Sequence, residues 1–253
     1  MRAGTLLGLA SLLLVTVAVA DVKETEEHSL EISSDGRVSL ENINGDIQIT
    51  GGKTDEVKIT AHKKAGSQDY MDDLQVIIDA DSDYIRIETR HPDGGSGWSN
   101  WGKDRSGSVS YELEVPASIK LDTISTVNGS VEISAVSGSV KAETVNGDLD
   151  ISDLSSNVDL ETVNGGIEAD FKSLGGSQRA SAEAVNGKIV FRLPGDTSTR
   201  VSAETVNGGI DAEDFGLEPG KGFVGRELDG RIGGGEARIS VETVNGSIRF
   251  VKK

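Results

Sequence analysis

One short peptide recurs along the chain, and it restricts the possible folds more than any other feature. Asn-Gly occurs seven times in the 253 residues, six times as Val-Asn-Gly and four times as Glu-Thr-Val-Asn-Gly. The asparagines are Asn44, Asn128, Asn146, Asn164, Asn186, Asn207 and Asn245. The spacing from Asn128 to Asn146 equals that from Asn146 to Asn164, and the later spacings are longer because they contain insertions. A recurring period of this kind predicts a repeat architecture in which each repeat packs against the next.

Within each repeat, apolar and polar residues alternate. Val140, Ala142 and Thr144 alternate with Lys141 and Glu143, and a period of two is typical of a strand with one buried and one solvated face. A second, degenerate turn lies midway between successive Asn-Gly pairs. Each repeat therefore consists of two short strands and two tight turns.

Two arrangements of these strands are compatible with the spacing. Asn-Gly between alternating strands favours antiparallel hairpins, because both residues tolerate a positive φ. Identical peptides at the same phase instead favour stacked parallel coils, in which Thr lies on Thr, Val on Val and Asn on Asn. We predict the second arrangement: an all-β, right-handed parallel β-helix or solenoid of roughly 18–22-residue coils, with a small antiparallel β insertion.

Composition agrees with a narrow coil and excludes several classes of function. The 32 glycines are expected at corners with positive φ, and the chain has only 5 Phe, 3 Tyr and 2 Trp, because a narrow coil has little room for large side chains. The absence of cysteine excludes disulfides, thiolate metal sites and thiol catalysis. A net charge of −17 argues against nucleic acid or an anionic membrane surface as the partner.

The N-terminus has the pattern of a secretory signal peptide. Arg2 precedes an apolar run over Leu6–Val19, and Ala18 and Ala20 are the small residues of a cleavage site. The apolar run is short for a bilayer-spanning helix, which argues against an uncleaved anchor. We therefore expect residues 1–20 to be removed and a mature chain without a transmembrane segment to be exported, either to the periplasm or to the extracellular cell surface.

The remaining residues divide where the repeat stops and resumes. Residues 21–65 are predicted to form N-terminal solenoid strands, 66–118 an antiparallel β cap, and 119–253 the main solenoid with an insertion at 214–236. A Gly/Ser-rich loop at 92–107 contains Trp98 and Trp101. These indoles are candidates for a ligand contact, with a carbohydrate or a protein, or they pack back onto the cap.

The repeats place five glutamates in one outward column: Glu143, Glu161, Glu183, Glu204 and Glu242. Stacked carboxylates either remain solvated or bind a divalent cation through their oxygens, so a cation is the one cofactor considered. The seven asparagines are interpreted as structural turns whose buried amides bond to the neighbouring coil. The three histidines lie outside the central repeats, and no Gly-x-Ser-x-Gly motif occurs, so no catalytic residues are assigned.

The chain contains the segments Ser110–Pro116 and Leu121–Gly129, the serial Thr-Val-Asn-Gly peptides, and the late Gly230–Gly235 followed by Val241–Arg249. Together these segments resemble the bacterial putative-adhesin family. This is a family of exported proteins containing a domain of unknown function. The resemblance covers about residues 29–251 and implies a β-solenoid fold. It supplies no catalytic motif.

These observations predict a non-enzymatic, exported adhesin-like protein or envelope scaffold that binds an envelope protein or a polysaccharide. Two alternatives remain open on the sequence. One is a carbohydrate-active lyase or hydrolase, with or without a divalent cation, which the grouped carboxylates together with Arg179, Arg192 and Arg200 would support. The other is a periplasmic component of envelope-stress signalling.

Overall fold

The computed structural model describes residues 21–92, 106–222 and 224–253. The predicted signal peptide, Trp98 and Trp101 lie outside the described residues. Within them, no helix is long and apolar enough to cross a membrane. The two helical elements there are α1 (Gln68–Asp73) and a single 3-10 turn at Glu213–Phe215.

The described residues form two long sheets. In spatial order, the ten strands of the first sheet are β1 (Val22–Glu31), β4 (Glu56–Ala65), β7 (Gly107–Pro116), β3 (Ile47–Gly52), β9 (Val131–Ser134), β11 (Leu149–Leu154), β13 (Ile167–Phe171), β15 (Ile189–Leu193), β21 (Ile248–Lys252) and β17 (Ile210–Asp211). Among the described residues, the eleven strands of the second sheet are, in spatial order, β18 (Gly220–Lys221), β19 (Arg226–Ile232), β16 (Thr199–Asn207), β20 (Ala237–Asn245), β14 (Arg179–Asn186), β12 (Val158–Asn164), β10 (Val140–Asn146), β8 (Lys120–Asn128), β2 (Arg37–Glu41), β6 (Tyr84–Arg90) and β5 (Gln75–Ala80).

Strands of successive repeats are parallel and in register, which confirms the predicted all-β solenoid. Thr144 pairs with Thr162 and Asn146 with Asn164 in the second sheet, and Leu149 pairs with Ile167 in the first. Each repeat supplies one strand to each sheet, so the hairpin alternative is wrong for these strands. Identical residues are neighbours because the chain returns to the same position in each coil.

The core lies between the sheets and is filled by the inward-facing residues of both. Most are aliphatic, such as Leu160 and Ile151, and both are at most 2% exposed. Three phenylalanines stack in the C-terminal coils: the ring centroids of Phe171 and Phe191 are 5.4 Å apart, and those of Phe191 and Phe250 are 6.1 Å apart. Buried aromatic rings thus fill part of the interior of these coils.

Spatial order differs from chain order at both ends of the stack. The N-terminal pair β2–β3 lies between β6–β7 and β8–β9, although β6–β7 comes between β2–β3 and β8–β9 in the sequence. At the other end the last coil, β20–β21, is inserted between β14–β15 and β16–β17. The C-terminal segment of the chain, from Ala237 onward, therefore forms an internal layer of the solenoid.

Antiparallel strands border the parallel stack. In residues 66–118, β6 pairs parallel with β2 and β7 pairs parallel with β3, so these two strands form a further coil of the stack and are not part of an antiparallel cap. The antiparallel strands at this end are β5, next to β6, and β4 and β1, which follow β7. Within the insertion at 214–236, β19 pairs antiparallel with β16. These strands bond to the terminal strands of the stack, whose backbone groups would otherwise form open edges.

Candidate functional site

In the repeated Thr-Val pair, the polar threonine faces the interior and the apolar valine faces the solvent. Thr162 is 4% exposed, whereas Val163, the next residue, is 39% exposed. The same reversal occurs in the other repeats, although Asn42 and Ala184 stand at the threonine position in two of them. A valine would ordinarily be the better residue for the interior, so this arrangement needs a separate reason for each of the two residues.

The threonines lie inside because their hydroxyl groups bond across coils. Thr162 Oγ1 donates to the carbonyl oxygen of Gly147 at 3.2 Å. The equivalent bonds, of 2.9–3.2 Å, run from Thr126 to Gly45, Thr144 to Gly129, Thr243 to Gly187 and Thr205 to Gly246. The buried hydroxyl thus has a partner and also satisfies a turn carbonyl of an adjacent coil.

The valines form a continuous exposed apolar row. Its members, in spatial order, are Ile43, Val127, Val145, Val163, Val185, Val244 and Val206, each 39–43% exposed. At the usual strand spacing, seven members span about 29 Å. Scattered surface valines need no explanation, but a contiguous exposed apolar row is typical of a binding surface.

A glutamate row runs parallel to the apolar row, two residues earlier on the same strands. It consists of Glu143, Glu161, Glu183, Glu242 and Glu204, which are direct neighbours in the register of the second sheet. The two rows line a groove of about 520 Å³ that runs along the sheet, and Val224 from the insertion contributes to its wall. The structure therefore brings all five predicted glutamates together, next to the valines.

Charge in the glutamate row is compensated only at one end. Lys141 Nζ lies 3.0 Å from Glu143 and 3.8 Å from Glu161, and its own pKa is raised, chiefly by its hydrogen bond to Glu143. The pKa of Glu161 is raised, first by burial and then by the charge of Glu143. In the described part of the chain, Glu183, Glu242 and Glu204 have no ion pair, so the C-terminal half of the groove is strongly negative.

No group of three or more His, Asp or Glu among the described residues is arranged to hold a metal ion. The glutamates face outward along a sheet, and the valine row lines the groove beside them. Divalent cation binding by the row stays a prediction.

The asparagines form a third row on the other side of the valines. Each amide nitrogen donates to the Oδ1 of the next asparagine at 2.8–2.9 Å, in the order Asn207, Asn245, Asn186, Asn164, Asn146, Asn128 and Asn44. Except for the half-buried Asn44, these side chains are exposed, whereas the sequence suggested buried amides. The row bonds adjacent coils to one another.

Glycine after each asparagine is required mainly by close approach of the coils. A Cβ on Gly147 would collide with the carbonyl oxygen of Gly129, and the other Asn-Gly glycines are similarly placed against a backbone carbonyl. Of these seven, Gly45 and Gly165 have φ values of +124° and +158°. The expectation that positive φ explains the corner glycines is therefore correct for a minority of them.

Arginines that could support a carbohydrate-active site are divided between the sheets. Arg179 and Arg200 lie in one column of the second sheet, on either side of Arg238. Arg192 lies on the first sheet, where its Nη1 is 2.6 Å from Glu168. The arginines named from the sequence thus do not converge with the glutamate row.

The apolar row is the surface that sequence reasoning missed, although its signal was present. Alternation places Val145 on the same face as Lys141 and Glu143, which is the solvated face. An aliphatic residue at that phase in every repeat indicates an exposed apolar row. Trp98 and Trp101, the other predicted contact, cannot be related to it because they lie outside the described residues.

The family model for Toastrack DUF4097 matches residues 103–250. The chain belongs to this family. Membership covers more than half of the sequence and confirms the resemblance to a domain-of-unknown-function family with a solenoid-like repeat fold. No curated protein matches the sequence.

This Toastrack chain is also similar to solved structures at low sequence identity. A putative cell adhesion protein from Clostridium sporogenes is 14% identical, with a TM-score of 0.51 over 91% of this chain and 100% of its own. A putative adhesin from Bacteroides fragilis is 11% identical, with a TM-score of 0.43 over 90% of this chain and 97% of its own. A putative lipid binding protein from Parabacteroides distasonis is 12% identical, with a TM-score of 0.34 over 90% and 96%. At such identities the first of these shows the fold alone.

Proposed function

We propose that the chain is a non-enzymatic, exported adhesin-like binding module of the cell envelope, and that its groove of valines and glutamates is the binding surface. The observation that carries this proposal is the exposure of seven branched apolar side chains in a row while threonines are buried beside them. Leaving this surface in water brings no gain in stability, so its use is intermolecular. The Clostridium sporogenes protein, which shares the fold, also has cell adhesion in its name.

The chemistry of the groove indicates its partner. An apolar row beside an uncompensated glutamate row is complementary to apolar side chains flanked by Lys or Arg. The groove is lined by residues of successive coils, so an extended protein segment can contact several coils at once. We therefore propose an envelope protein with a basic, apolar segment as the partner, in preference to a polysaccharide.

Binding can be tested with synthetic peptides and the mature chain. A peptide of alternating Val and Lys should bind, whereas peptides of alternating Ser and Lys or Val and Glu should bind at least about tenfold more weakly, a difference of about 1.4 kcal/mol. Calorimetry or fluorescence anisotropy measures the Kd values. Equal affinity for the Ser-Lys peptide would show that the apolar row contributes nothing and would contradict the proposal.

Variants of the groove separate its two components. V145T/V163T/V185T keeps the side-chain shape and the β propensity but replaces one methyl group with a hydroxyl at each position, so it should lose affinity for the Val-Lys peptide at all salt concentrations. E183Q/E242Q should lose affinity chiefly at low salt, because its contribution is electrostatic. E132Q/D150N, on the outer face of the first sheet, is the matched control and should bind like the unmodified chain.

The enzymatic alternative is tested with a panel of acidic and neutral polysaccharides. A binding module releases no reducing or unsaturated ends from any of them. Product formation that is lost in E183Q/E242Q would establish catalysis and overturn the non-enzymatic proposal.

Export is proposed from residues 1–20, whose pattern is that of a signal peptide. The mature protein from a cell-envelope fraction should begin at Asp21. Mass spectrometry of its N-terminal peptide measures this, and a chain that retains Met1 in the cytoplasmic fraction would contradict it.

A further inference from the structure

The asparagine row has two ends, and the backbone bonds differ at one of them. We propose that Asn207, at the C-terminal end of the row, is a site of spontaneous deamidation in the folded protein, and that the other six Asn-Gly pairs are protected by the stack. The inference rests on Gly208, whose backbone N–H has no acceptor among the described residues. It is independent of what the groove binds.

The chemistry follows from the dipeptide itself. After a base such as hydroxide removes its proton, the backbone nitrogen of the glycine attacks Cγ of the preceding asparagine. A nitrogen–carbon bond forms, the side-chain nitrogen leaves as ammonia, and a five-membered succinimide results. Water then adds to one of the two carbonyl carbons and opens the ring to aspartate or isoaspartate. The net change exchanges an amide and water for a carboxylic acid and ammonia, without oxidation or reduction.

In the protected pairs, the attacking nitrogen is already occupied. The glycine N–H donates to the asparagine carbonyl oxygen of the adjacent coil at 2.9–3.1 Å. These bonds run from Gly45 to Asn128, Gly129 to Asn146, Gly147 to Asn164, Gly165 to Asn186, Gly187 to Asn245 and Gly246 to Asn207. Each bond holds the proton and fixes the peptide plane, so attack requires the coil to open locally.

The side chain at the end of the row is also held less firmly. An internal asparagine such as Asn164 donates to one neighbour and accepts from the other. Asn207 donates to Asn245 Oδ1 at 2.9 Å, and within the described residues its own Oδ1 accepts no bond. At the opposite end, Asn44 Oδ1 accepts from Asn128, and Gly45 N–H is bonded.

Exposure to water does not distinguish the sites, because Asn128, Asn146, Asn164 and Asn207 are all exposed. The hydrogen bonds do distinguish them. Loss of one amide bond of the usual net strength corresponds to about a tenfold change in the population of an open state. We therefore expect Asn207 to deamidate at least about tenfold faster than the internal asparagines.

Modification would alter the end of the stack. In the unmodified chain, Asn245 Oδ1 accepts a hydrogen bond from the Asn207 amide. Aspartate or isoaspartate at position 207 replaces this donor with a carboxylate, which only accepts. Isoaspartate also adds a methylene group to the backbone at the end of β16. Since Gly246 N–H depends on the carbonyl of Asn207, loosening of this coil exposes Asn245 next, and deamidation should proceed inward from this end.

The experiment uses the unmodified mature chain. The folded protein is incubated at mildly alkaline pH, samples are taken over time, and each Asn-Gly peptide is quantified by mass spectrometry with isoaspartate detection. Asn207 should be modified first, with Asn245 following and Asn128, Asn146 and Asn164 unchanged over the same interval. Equal rates at Asn207 and an internal site, or an unmodified Asn207, would overturn the proposal.

The same incubation in concentrated urea is the control. Unfolding removes the bonds between coils, so the seven sites should approach a common rate. If Asn207 kept its lead in urea, the cause would be local sequence, and the protective role assigned to the stack would be wrong. N207S, which removes the reactive amide, should abolish the first modification in the folded chain.

Discussion

At the residue scale, each member of the repeated peptide has a distinct physical role. Threonine is buried because its hydroxyl bonds to a turn carbonyl of an adjacent coil, as Thr144 does to Gly129 at 2.9 Å. Asparagine joins adjacent coils through its side chain, and glycine permits their close approach. Valine alone contributes neither to the core nor to a hydrogen bond through its side chain, which leaves it available for a partner.

Substitution of a single asparagine tests the stabilising role of the row. N164A removes one donated and one accepted hydrogen bond, so the free energy of unfolding should fall by about 1–2 kcal/mol. N207A removes one donated bond and should cost about half as much. Urea unfolding measures both, and equal stability of N164A and the unmodified chain would show that the amide row contributes nothing.

At the element scale, the solenoid places like side chains next to one another, which benefits amides and is unfavourable for carboxylates. An amide both donates and accepts, so a row of asparagines satisfies itself, as in stacked strands of identical sequence. A carboxylate only accepts, and neighbouring glutamates repel. The raised pKa of Glu161 reflects burial together with this repulsion.

This pKa shift predicts the pH dependence of stability. Because the pKa of Glu161 is higher in the folded than in the unfolded chain, the folded state binds the proton more tightly. The contribution of Glu161 to the free energy of unfolding therefore decreases as pH rises from its unfolded pKa through its raised folded pKa, and is recovered on acidification.

E161Q is the test variant, and E132Q, on the first sheet, is its matched control. E161Q should be more stable than the unmodified chain at neutral pH and should show a smaller gain on acidification, measured by urea unfolding at several pH values. An E161Q chain with an unchanged pH profile would mean that other groups control it.

At the scale of the whole molecule, the last coil in sequence is an internal layer of the stack. β20 pairs with β14 on one side and β16 on the other. The buried side chains of Ile239 and Val241 lie in this layer. The solenoid therefore cannot be completed until the final residues have been inserted, in contrast to a simple stack that grows coil by coil.

Truncation tests this order. A chain that ends at Glu236 lacks β20 and β21, so β14 and β16 lose their common partner, and we expect a large loss of stability with separate unfolding of the remaining C-terminal strands. A chain that starts at Ile32 lacks only the edge strand β1 and should unfold cooperatively. Circular dichroism during urea unfolding distinguishes them, and similar curves for both chains would contradict an internal role for the last coil.

Much of the stack could be predicted from the sequence because short patterns that specify a coil recur in successive repeats. The even step from Asn128 to Asn164, the alternation around Glu143 and the recurrence of Asn-Gly specify strand length, facing and parallel register. The glutamates fall in one row for the same reason. The exposed valine row could also be predicted from the sequence, because the alternation places each valine on the solvated face with glutamate.

The sequence by itself determined that the chain is a solenoid, since a fixed period forces equivalent residues to the same place in every coil. Only the tertiary structure decided which coils are neighbours where insertions interrupt the period. It joined Asn44 to Asn128 and placed Asn245 between Asn186 and Asn207. Those contacts depend on which edges remain free for pairing, a property of the assembled sheets that no local pattern contains.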